Sequence, residues 1–219
     1  MPNLGKLVLV RHGASEWNIH NIFTGWMDVP LAEQGIEEAH EAGKKLKGLH
    51  FDIAFTSVLS RAIDTQKIIL DEIGQSDILV FKDQALNERH YGALQGKNKD
   101  KTREEFGEEQ VQLWRRSYDI APPEGESLKD TCDRTIPYLT EKILTEVKQG
   151  KNVLVTAHGN SLRSIVMKLE KLSPDEIIKV NIPTGVPYIY TFDTEMNVIN
   201  REILNGSISQ LTHLEREVQ

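Results

Sequence analysis

The stretches KLVLVRHG (residues 6–13) and VLVTAHGN (residues 153–160) are the best guide to the architecture of this chain. Each is a short apolar run followed by a His-Gly step, a pattern typical of a buried strand with a polar residue at its end. In open α/β sheets, ligands bind beyond the carboxyl ends of the strands, where the strand order reverses. If the two strands are neighbours, we expect His12 and His158 to meet at the floor of one cleft.

Two kinds of segment alternate along the chain. Apolar steps of three and four residues predict helices, and short apolar runs predict strands. Pro137 predicts a kink or boundary in one helix. The alternation predicts an α/β fold, a three-layer α/β/α sandwich with a mostly parallel central sheet, the active site at the C-terminal ends of the strands, and a single domain over 1–219. Helices are predicted over 31–49, 62–73, 101–117, 127–148 and 162–169, strands over 6–10, 51–55, 78–81, 153–157, 187–192 and 198–203, and a long loop over 86–99.

The composition is globular and acidic. The 219 residues include 33 Asp+Glu and 26 Lys+Arg, which gives a formal net charge of −7. This balance argues against a nucleic-acid partner, because proteins that bind nucleic acid usually have a basic face. Cys132 is the single cysteine, so an intrachain disulfide and a zinc cluster of thiolates are excluded. Because no apolar run approaches ~20 residues and residues 1–6 lack a signal peptide's apolar core, we expect a cytoplasmic protein without a membrane partner.

The two strand-end histidines predict a chemistry by elimination. A zinc site would need a third ligand at a recognisable spacing and a serine hydrolase would need G-x-S-x-G, and the sequence contains neither motif. A single buried histidine is usually a core residue, but two in the same context favour a function. An imidazole can accept a phosphoryl group directly and so divide one difficult transfer into two easier ones. We therefore expect a histidine nucleophile that works without a metal.

Phosphoryl transfer also needs fixed cations around the transferring group. Arginine suits this task because its planar guanidinium binds phosphate through two parallel hydrogen bonds. Arg11 precedes His12, and Arg61 begins the helix after the second strand, at the same end of the sheet. We expect a local positive cleft in an otherwise acidic chain. Further candidates for its cations are Lys99, Arg115 and Arg116.

The segment RHGASEWNIHNIFTGWMDVPL (residues 11–31) resembles a known family. Its Arg-His-Gly start is the signature of the histidine phosphatase superfamily, and the longer segment is similar to the phosphoglycerate mutases that depend on 2,3-bisphosphoglycerate. Further blocks match in the family's order and cover most of the chain. They are TSVLSRAIDT (56–65), LNERHYGALQGKNK (86–99), QLWRRSYDIAPP (112–123), TAHGNSLRS (156–164) and NIPTGVP (181–187).

The resemblance implies a role for each matched site residue. His12 would take the phosphoryl group at its outer ring nitrogen, His158 would stabilise that group, and Arg11 and Arg61 would clamp it. Glu88 would exchange a proton with the substrate hydroxyl, with a pKa raised by nearby phosphate oxygens. Substrate contacts would come from Asn18, Thr24, Gly25, Arg89, Tyr91, Lys99, Arg115, Arg116, Gly159 and Asn160.

The implied activity is the interconversion of 3-phosphoglycerate and 2-phosphoglycerate in glycolysis and gluconeogenesis. The cofactor 2,3-bisphosphoglycerate would prime His12 through a phosphohistidine, no metal would be needed, and the partners would be small phosphorylated three-carbon acids. The alternative is a histidine phosphatase of a small phosphoester, with water as the acceptor. The blocks at 86–99 and 112–123 favour the mutase. A non-catalytic binding protein is disfavoured because the catalytic set is complete.

Three features depart from the family's pattern. Ala14 stands where many members have Glu, so any role of that carboxyl is absent. The segment 123–127 is shorter than in members with an insert, which leaves a homo-oligomer open because oligomeric state differs across the family. Residues 206–219 match only weakly, and in relatives the tail can close over the cleft.

Overall fold

The structure is a computed structural model that describes residues 4–205. Within them, six strands form one sheet. The strands are β1 (Leu7–Arg11), β2 (Ile53–Thr56), β3 (Leu79–Lys82), β4 (Val153–Ala157), β5 (Pro187–Phe192) and β6 (Val198–Ile203). Their order across the sheet is β3-β2-β4-β1-β5-β6.

The sheet is mostly parallel, as the sequence predicts. Strands β3, β2, β4 and β1 pair in parallel, whereas β5 pairs antiparallel with β1 and β6 antiparallel with β5. In the register between β1 and β4, Arg11 lies opposite Ala157. One residue further, the N–H of His12 donates to the carbonyl of Ala157 at 2.9 Å. The two strands that end in His-Gly are therefore neighbours and end at the same edge.

Helices flank the sheet along the whole described chain. They are α1 (Glu16–Ile19), α2 (Glu33–Lys45), α3 (Ser60–Glu72), α4 (Lys99–Phe106), α5 (Glu108–Arg116), α6 (Leu128–Tyr138), α7 (Leu144–Lys148), α8 (Gly159–Glu170) and α9 (Pro174–Ile177).

The two faces of β1 show how the three layers form. Side chains alternate along a strand, so neighbouring residues face opposite layers. Val8 and Val10 pack in one apolar cluster with Leu46, which follows α2, whereas Leu7 and Leu9 belong to a second cluster that includes α8. All are buried, and a fully buried Val or Leu contributes about 1.5–3 kcal/mol. Helices α2 and α3 thus cover one face and α6, α7 and α8 the other.

Two long helices predicted from the sequence are interrupted in the structure. The prediction over 101–117 becomes α4 and α5, because Gly107 separates them with a positive φ of 83°. The prediction over 127–148 becomes α6, a π-helical turn at Leu139–Ile143, and α7. This interruption follows Pro137, where a boundary is expected because proline lacks an N–H and crowds the preceding turn.

Strand β3 forms the edge of the sheet opposite β6, and the apolar run over 78–81 predicts it as a strand. Its Leu79 and Phe81 are 58% and 44% exposed.

Within residues 4–205, no helix is both long and apolar enough to span a membrane. The single domain over 1–219 stays a prediction, and closure of the tail 206–219 lies outside the described residues.

Candidate active site

The chain brings His12 and His158 together at the carboxyl edge of the sheet. Their ring centroids are 4.9 Å apart, and the residues are 2% and 0% exposed. Burial lowers the pKa of each histidine well below its ordinary value, and the nearby charges of Arg61 and Arg11 lower it further. Both rings are therefore neutral at physiological pH, as a nitrogen nucleophile requires.

The hydrogen bonding of His12 selects its reactive nitrogen. Its Nδ1 lies 2.6 Å from the carbonyl oxygen of Gly13, which can only accept, so Nδ1 carries the proton. In the neutral ring, Nε2 then has a free lone pair. Gly13 is required here because a Cβ at this position would lie 2.0 Å from the carbonyl oxygen of Gly35. The outer nitrogen of His12 is thus the one prepared for attack.

Ser57, at the end of β2, fixes the second histidine. Its Oγ lies 2.7 Å from Nε2 of His158 and accepts the N–H of Leu59 at 3.2 Å. When the hydroxyl hydrogen points to Nε2, the proton of the neutral ring lies on Nδ1. Among the described residues, Nδ1 is buried and has no hydrogen-bond partner. His158 can therefore donate from Nδ1 to an oxygen of the transferring group.

Arg11 and Arg61 supply the positive charge beside the two histidines. Arg61 is 1% exposed and donates to the carbonyls of Gly25 and Met27 at 2.7 and 2.9 Å. Burial lowers the pKa of Arg61 to about 10, so it stays charged at neutral pH. Arg11 donates to the carbonyl of Ile182 at 2.8 Å. Both guanidiniums are held by backbone oxygens rather than by carboxylates, so their charge is available to an anion.

Glu88 is buried at the same site and is 8% exposed. Its Oε1 accepts from the N–H of Arg89 at 2.8 Å and from the N–H and Nδ2 of Asn160 at 3.0 and 2.9 Å. Burial acts to raise the pKa of Glu88, but these donors and the charge of Arg11 outweigh it and hold the pKa below its ordinary value. The raised pKa expected from the sequence concerns Glu88 beside bound phosphate oxygens, and it stays a prediction.

The loop that carries Glu88 is held by side chains from two other segments. Arg134 of α6 donates to the carbonyls of Ala85, Asn87 and Glu88 at 2.9–3.1 Å. The indole N–H of Trp26 donates to the same carbonyl of Glu88 at 2.6 Å. Side-chain donors from other segments thus satisfy the backbone carbonyls of this loop and hold it in place.

We call His12, His158, Arg61 and Glu88 the floor of the cleft, and Lys99, Arg115 and Arg116 its rim. The rim residues are half-buried and line a cavity of about 230 Å³ together with Arg11 and Glu88. Burial lowers the pKa of Lys99 and of Arg115. Five cations and one carboxylate, Glu88, line this cavity, so it is positive, whereas the whole chain carries a net charge of −7.

Except for Arg89, the remaining predicted substrate contacts line the same cleft. Arg89 is buried and donates to the hydroxyl of Tyr91 at 3.2 Å. Asn18 accepts the N–H of Ser15 at its Oδ1, which leaves its Nδ2 for other partners. A second part of the cleft, beside His12, is lined by Asn18, Thr24, Gly25, Arg61, Glu88, Tyr91 and Lys99, and the first part includes Gly159 and Asn160.

The structure adds site residues that the sequence reading left out. Ser57 directly follows a strand, so the rule that pointed to the histidines also applied to it. Arg163 and Asn181 lie in or beside the matched blocks and line the cleft. Arg134 lies on a helix far along the chain from Glu88, and nothing in the sequence indicates their contact.

The donor set suits a ligand with several anionic groups. Within the described residues, the buried atoms without a hydrogen-bond partner include Nε of Arg11, Nε and Nη1 of Arg89 and Nδ1 of His158. Unpaired buried donors are costly, and phosphate and carboxylate oxygens would satisfy them. These residues therefore fit 2,3-bisphosphoglycerate. In residues 4–205, no group of three or more His, Cys, Asp or Glu could hold a metal ion.

The chain is similar to known proteins along most of its length. The model of the histidine phosphatase superfamily (branch 1) matches residues 7–203. The fold is similar to that of Bacillus stearothermophilus YhfR, with a TM-score of 0.77, 26% identity and coverage of 89% of this chain and 94% of that one. It is also similar to a phosphoglycerate mutase from Bacillus anthracis str. Sterne, with a TM-score of 0.75, 25% identity and coverage of 90% and 91%.

The sheet order, the paired histidines and the matched model place this chain in the histidine phosphatase superfamily. A relative from Parvibaculum lavamentivorans, a 2,3-bisphosphoglycerate-dependent phosphoglycerate mutase, is 58% identical over 206 residues, which cover 93% of this chain and 97% of the relative. The chain belongs to that family of phosphoglycerate mutases, which confirms the resemblance seen in the sequence.

Proposed function

We propose that this protein interconverts 3-phosphoglycerate and 2-phosphoglycerate, in glycolysis and gluconeogenesis, through a phosphohistidine at His12. One observation carries the proposal: a neutral histidine with a free Nε2 and a buried carboxylate, Glu88, line one cleft whose rim adds further cations. The histidine accepts and donates the phosphoryl group, and the carboxylate exchanges a proton with the substrate hydroxyl. The rim binds the other anionic group of the substrate.

The floor residues and Arg11 perform the transfer in this proposal. Nε2 of His12 attacks the phosphorus in line with the leaving oxygen, and Arg11 and Arg61 stabilise the charge on the phosphoryl oxygens. His158 donates a hydrogen bond to the same group from Nδ1. When the phosphoryl group leaves His12 for the substrate, the N–P bond breaks, an O–P bond forms and the hydroxyl proton passes to Glu88. The reverse step returns that proton.

The rim and the neighbouring loops bind substrate. The cofactor, 2,3-bisphosphoglycerate, supplies the phosphoryl group that primes His12. The contacts proposed for it and for the monophosphates are those of Asn18, Thr24, Gly25, Arg89, Tyr91, Lys99, Arg115, Arg116, Gly159 and Asn160. Catalysis without a metal, a cytoplasmic location and a homo-oligomer stay predictions.

A coupled assay tests the proposal. The protein is given 3-phosphoglycerate with and without catalytic 2,3-bisphosphoglycerate, in the presence and absence of a chelator, and both 2-phosphoglycerate and free phosphate are followed. We expect 2-phosphoglycerate to form, faster with the bisphosphate, and the rate to be the same in chelator. A rate lost in chelator and restored by a divalent cation would contradict the metal-free mechanism.

The same assay separates the mutase from the alternative phosphatase. A phosphatase would release free phosphate and form no 2-phosphoglycerate, because water would accept the phosphoryl group from His12. The half-buried cations of the rim favour the mutase, since they provide a second anion site that keeps a phosphorylated acid in the cleft between the two transfers.

A further inference from the structure

Arg163 lies on α8, in the wall of the cleft, and is 5% exposed. Its Nη1 donates to Oδ1 of Asn160 at 3.0 Å, and its Nη2 donates to the carbonyl of Ile177 at 2.7 Å. A guanidinium can only donate, so the atom of Asn160 that faces it must be the amide oxygen. Arg163 therefore fixes which way the Asn160 amide points.

This orientation directs the amide nitrogen of Asn160 to Glu88. Oε1 of Glu88 accepts Nδ2 of Asn160 at 2.9 Å and two backbone N–H groups at 2.8 and 3.0 Å. One carboxylate oxygen has two lone pairs, so Oε1 has no capacity for a proton as well. Within the part of the chain that the structure describes, Oε2 accepts no hydrogen bond, and it lies 3.5 Å from where a Cβ on Gly159 would sit, in the wall of the cleft.

We propose that Arg163 is a positioning residue: by fixing the Asn160 amide it saturates Oε1 of Glu88 and makes Oε2 the oxygen that exchanges the proton with the substrate hydroxyl. The inference rests on the proposed function, in which Glu88 exchanges that proton. Without Arg163 the amide is free to turn, and Oε1 loses a donor. Glu88 then holds its proton more tightly, and the carboxylate forms only at higher pH.

Several other charged or titratable groups act on Glu88 from the surrounding elements, and the test must leave them unchanged. They are Arg11 and His12 at the end of β1, Arg61 of α3, Arg89 and Tyr91 of its own loop, Lys99 of α4, Arg115 and Arg116 of α5, Arg134 of α6 and His158 before α8.

The experiment measures transfer from phosphorylated His12 to 3-phosphoglycerate in a single turnover as a function of pH. The rate falls at acid pH as Glu88 becomes protonated, and the midpoint of that fall is the readout. In Arg163→Gln we expect the midpoint to rise by about one pH unit, since a hydrogen bond to a charged group is lost. Arg163→Lys, which keeps the charge and one donor group, should lie between Arg163→Gln and the unsubstituted protein.

A double-substitution cycle separates positioning from a direct effect of charge. In an Asn160→Ala background, Arg163→Gln should add no further shift of the midpoint. An equal shift in both backgrounds would mean that the charge acts through space, and a raised KM with an unmoved midpoint would make Arg163 a direct ligand of the substrate; either result overturns the inference. Arg201→Gln is the matched control, because Arg201 pairs with Glu170 away from the cleft.

A ¹³C NMR titration of the Glu88 carboxyl in the ligand-free protein gives a second readout that needs no turnover. Arg163→Gln should raise the pKa of Glu88 in this titration as well, and an unchanged pKa would overturn the inference. If the unsubstituted protein forms no 2-phosphoglycerate, the proposed function fails by itself. If it does and only the pKa shift is missing, the positioning role alone fails.

Discussion

The floor and the rim of the cleft hold their charges in different ways. The floor residues His12, His158, Arg61 and Glu88 are at most 8% exposed, and each is fixed by hydrogen bonds to backbone or to a buried side chain. The rim residues Lys99, Arg115 and Arg116 are half-buried side chains on or at the start of two short helices. A fixed, desolvated group acts on the transition state, whereas a flexible cation contributes mainly to binding. The difference predicts that floor substitutions reduce kcat and that rim substitutions raise KM.

Replacing the nucleophile should have the largest effect. His12→Ala removes the nitrogen that accepts the phosphoryl group, and we expect interconversion to fall by about 10⁴-fold or more, as for other covalent nucleophiles. The measurements are turnover of 3-phosphoglycerate and incorporation of labelled phosphoryl into the protein. His40→Ala is the control, since His40 pairs with Glu72 on the surface. Turnover that persists in His12→Ala would contradict the role of the floor in phosphoryl transfer.

The floor should also make stability depend on pH. Because the folded pKa values of His12 and His158 are lowered, the unfolded chain binds more protons below about pH 6.5, and the free energy of unfolding should fall there by about 1.4 kcal/mol per pH unit for each histidine. Urea unfolding between pH 7.5 and 5.5 measures this slope. His12→Asn should reduce the slope by about half of the two-histidine contribution. Equal slopes in His12→Asn and the unsubstituted protein would contradict a neutral floor.

The contact between Ser57 and His158 offers a sharper test of the floor. Ser57→Ala removes the hydroxyl that holds Nε2, so the ring of His158 is free to take the other tautomer, and we expect kcat to fall by about 30-fold with little change in KM. Ser57→Thr keeps a hydroxyl and should recover most of the rate. Thr156→Val is a matched control, because the buried hydroxyl of Thr156 has no hydrogen-bond partner among the described residues. A change confined to KM would place Ser57 with the rim.

A single rim substitution should have the smallest effect. Arg115→Ala removes one of several cations around the cavity, and we expect KM for 3-phosphoglycerate to rise by about tenfold with kcat nearly unchanged, since one charge-assisted hydrogen bond is lost. Steady-state kinetics check this split. Lys129→Ala is the control, because Lys129 pairs with Asp133 on the outer surface of α6. A large loss of kcat in Arg115→Ala would erase the distinction between rim and floor.

The sequence predicted the floor better than the elements around it. His12, Arg11 and His158 follow strands that apolar runs mark clearly, and strand ends converge at one edge of a parallel sheet. The break at Gly107 was missed because the prediction over 101–117 continued one helix through this glycine, whose positive φ ends α4. The groups that lower the pKa of Glu88 in the protein alone could not be found from the sequence, because Arg89, Asn160 and Arg11 are brought together only by folding.

The sequence by itself determined the alternation of strands and helices, the family, and the residue types that the chemistry requires. Periodicity and motifs are local properties, so they can be read along the chain. Only the tertiary structure decided which acceptor fixes the proton of His12 on Nδ1 and how the Glu88 loop is held by Arg134. These properties depend on distances between residues far apart in the sequence, and such distances exist only once the core has packed.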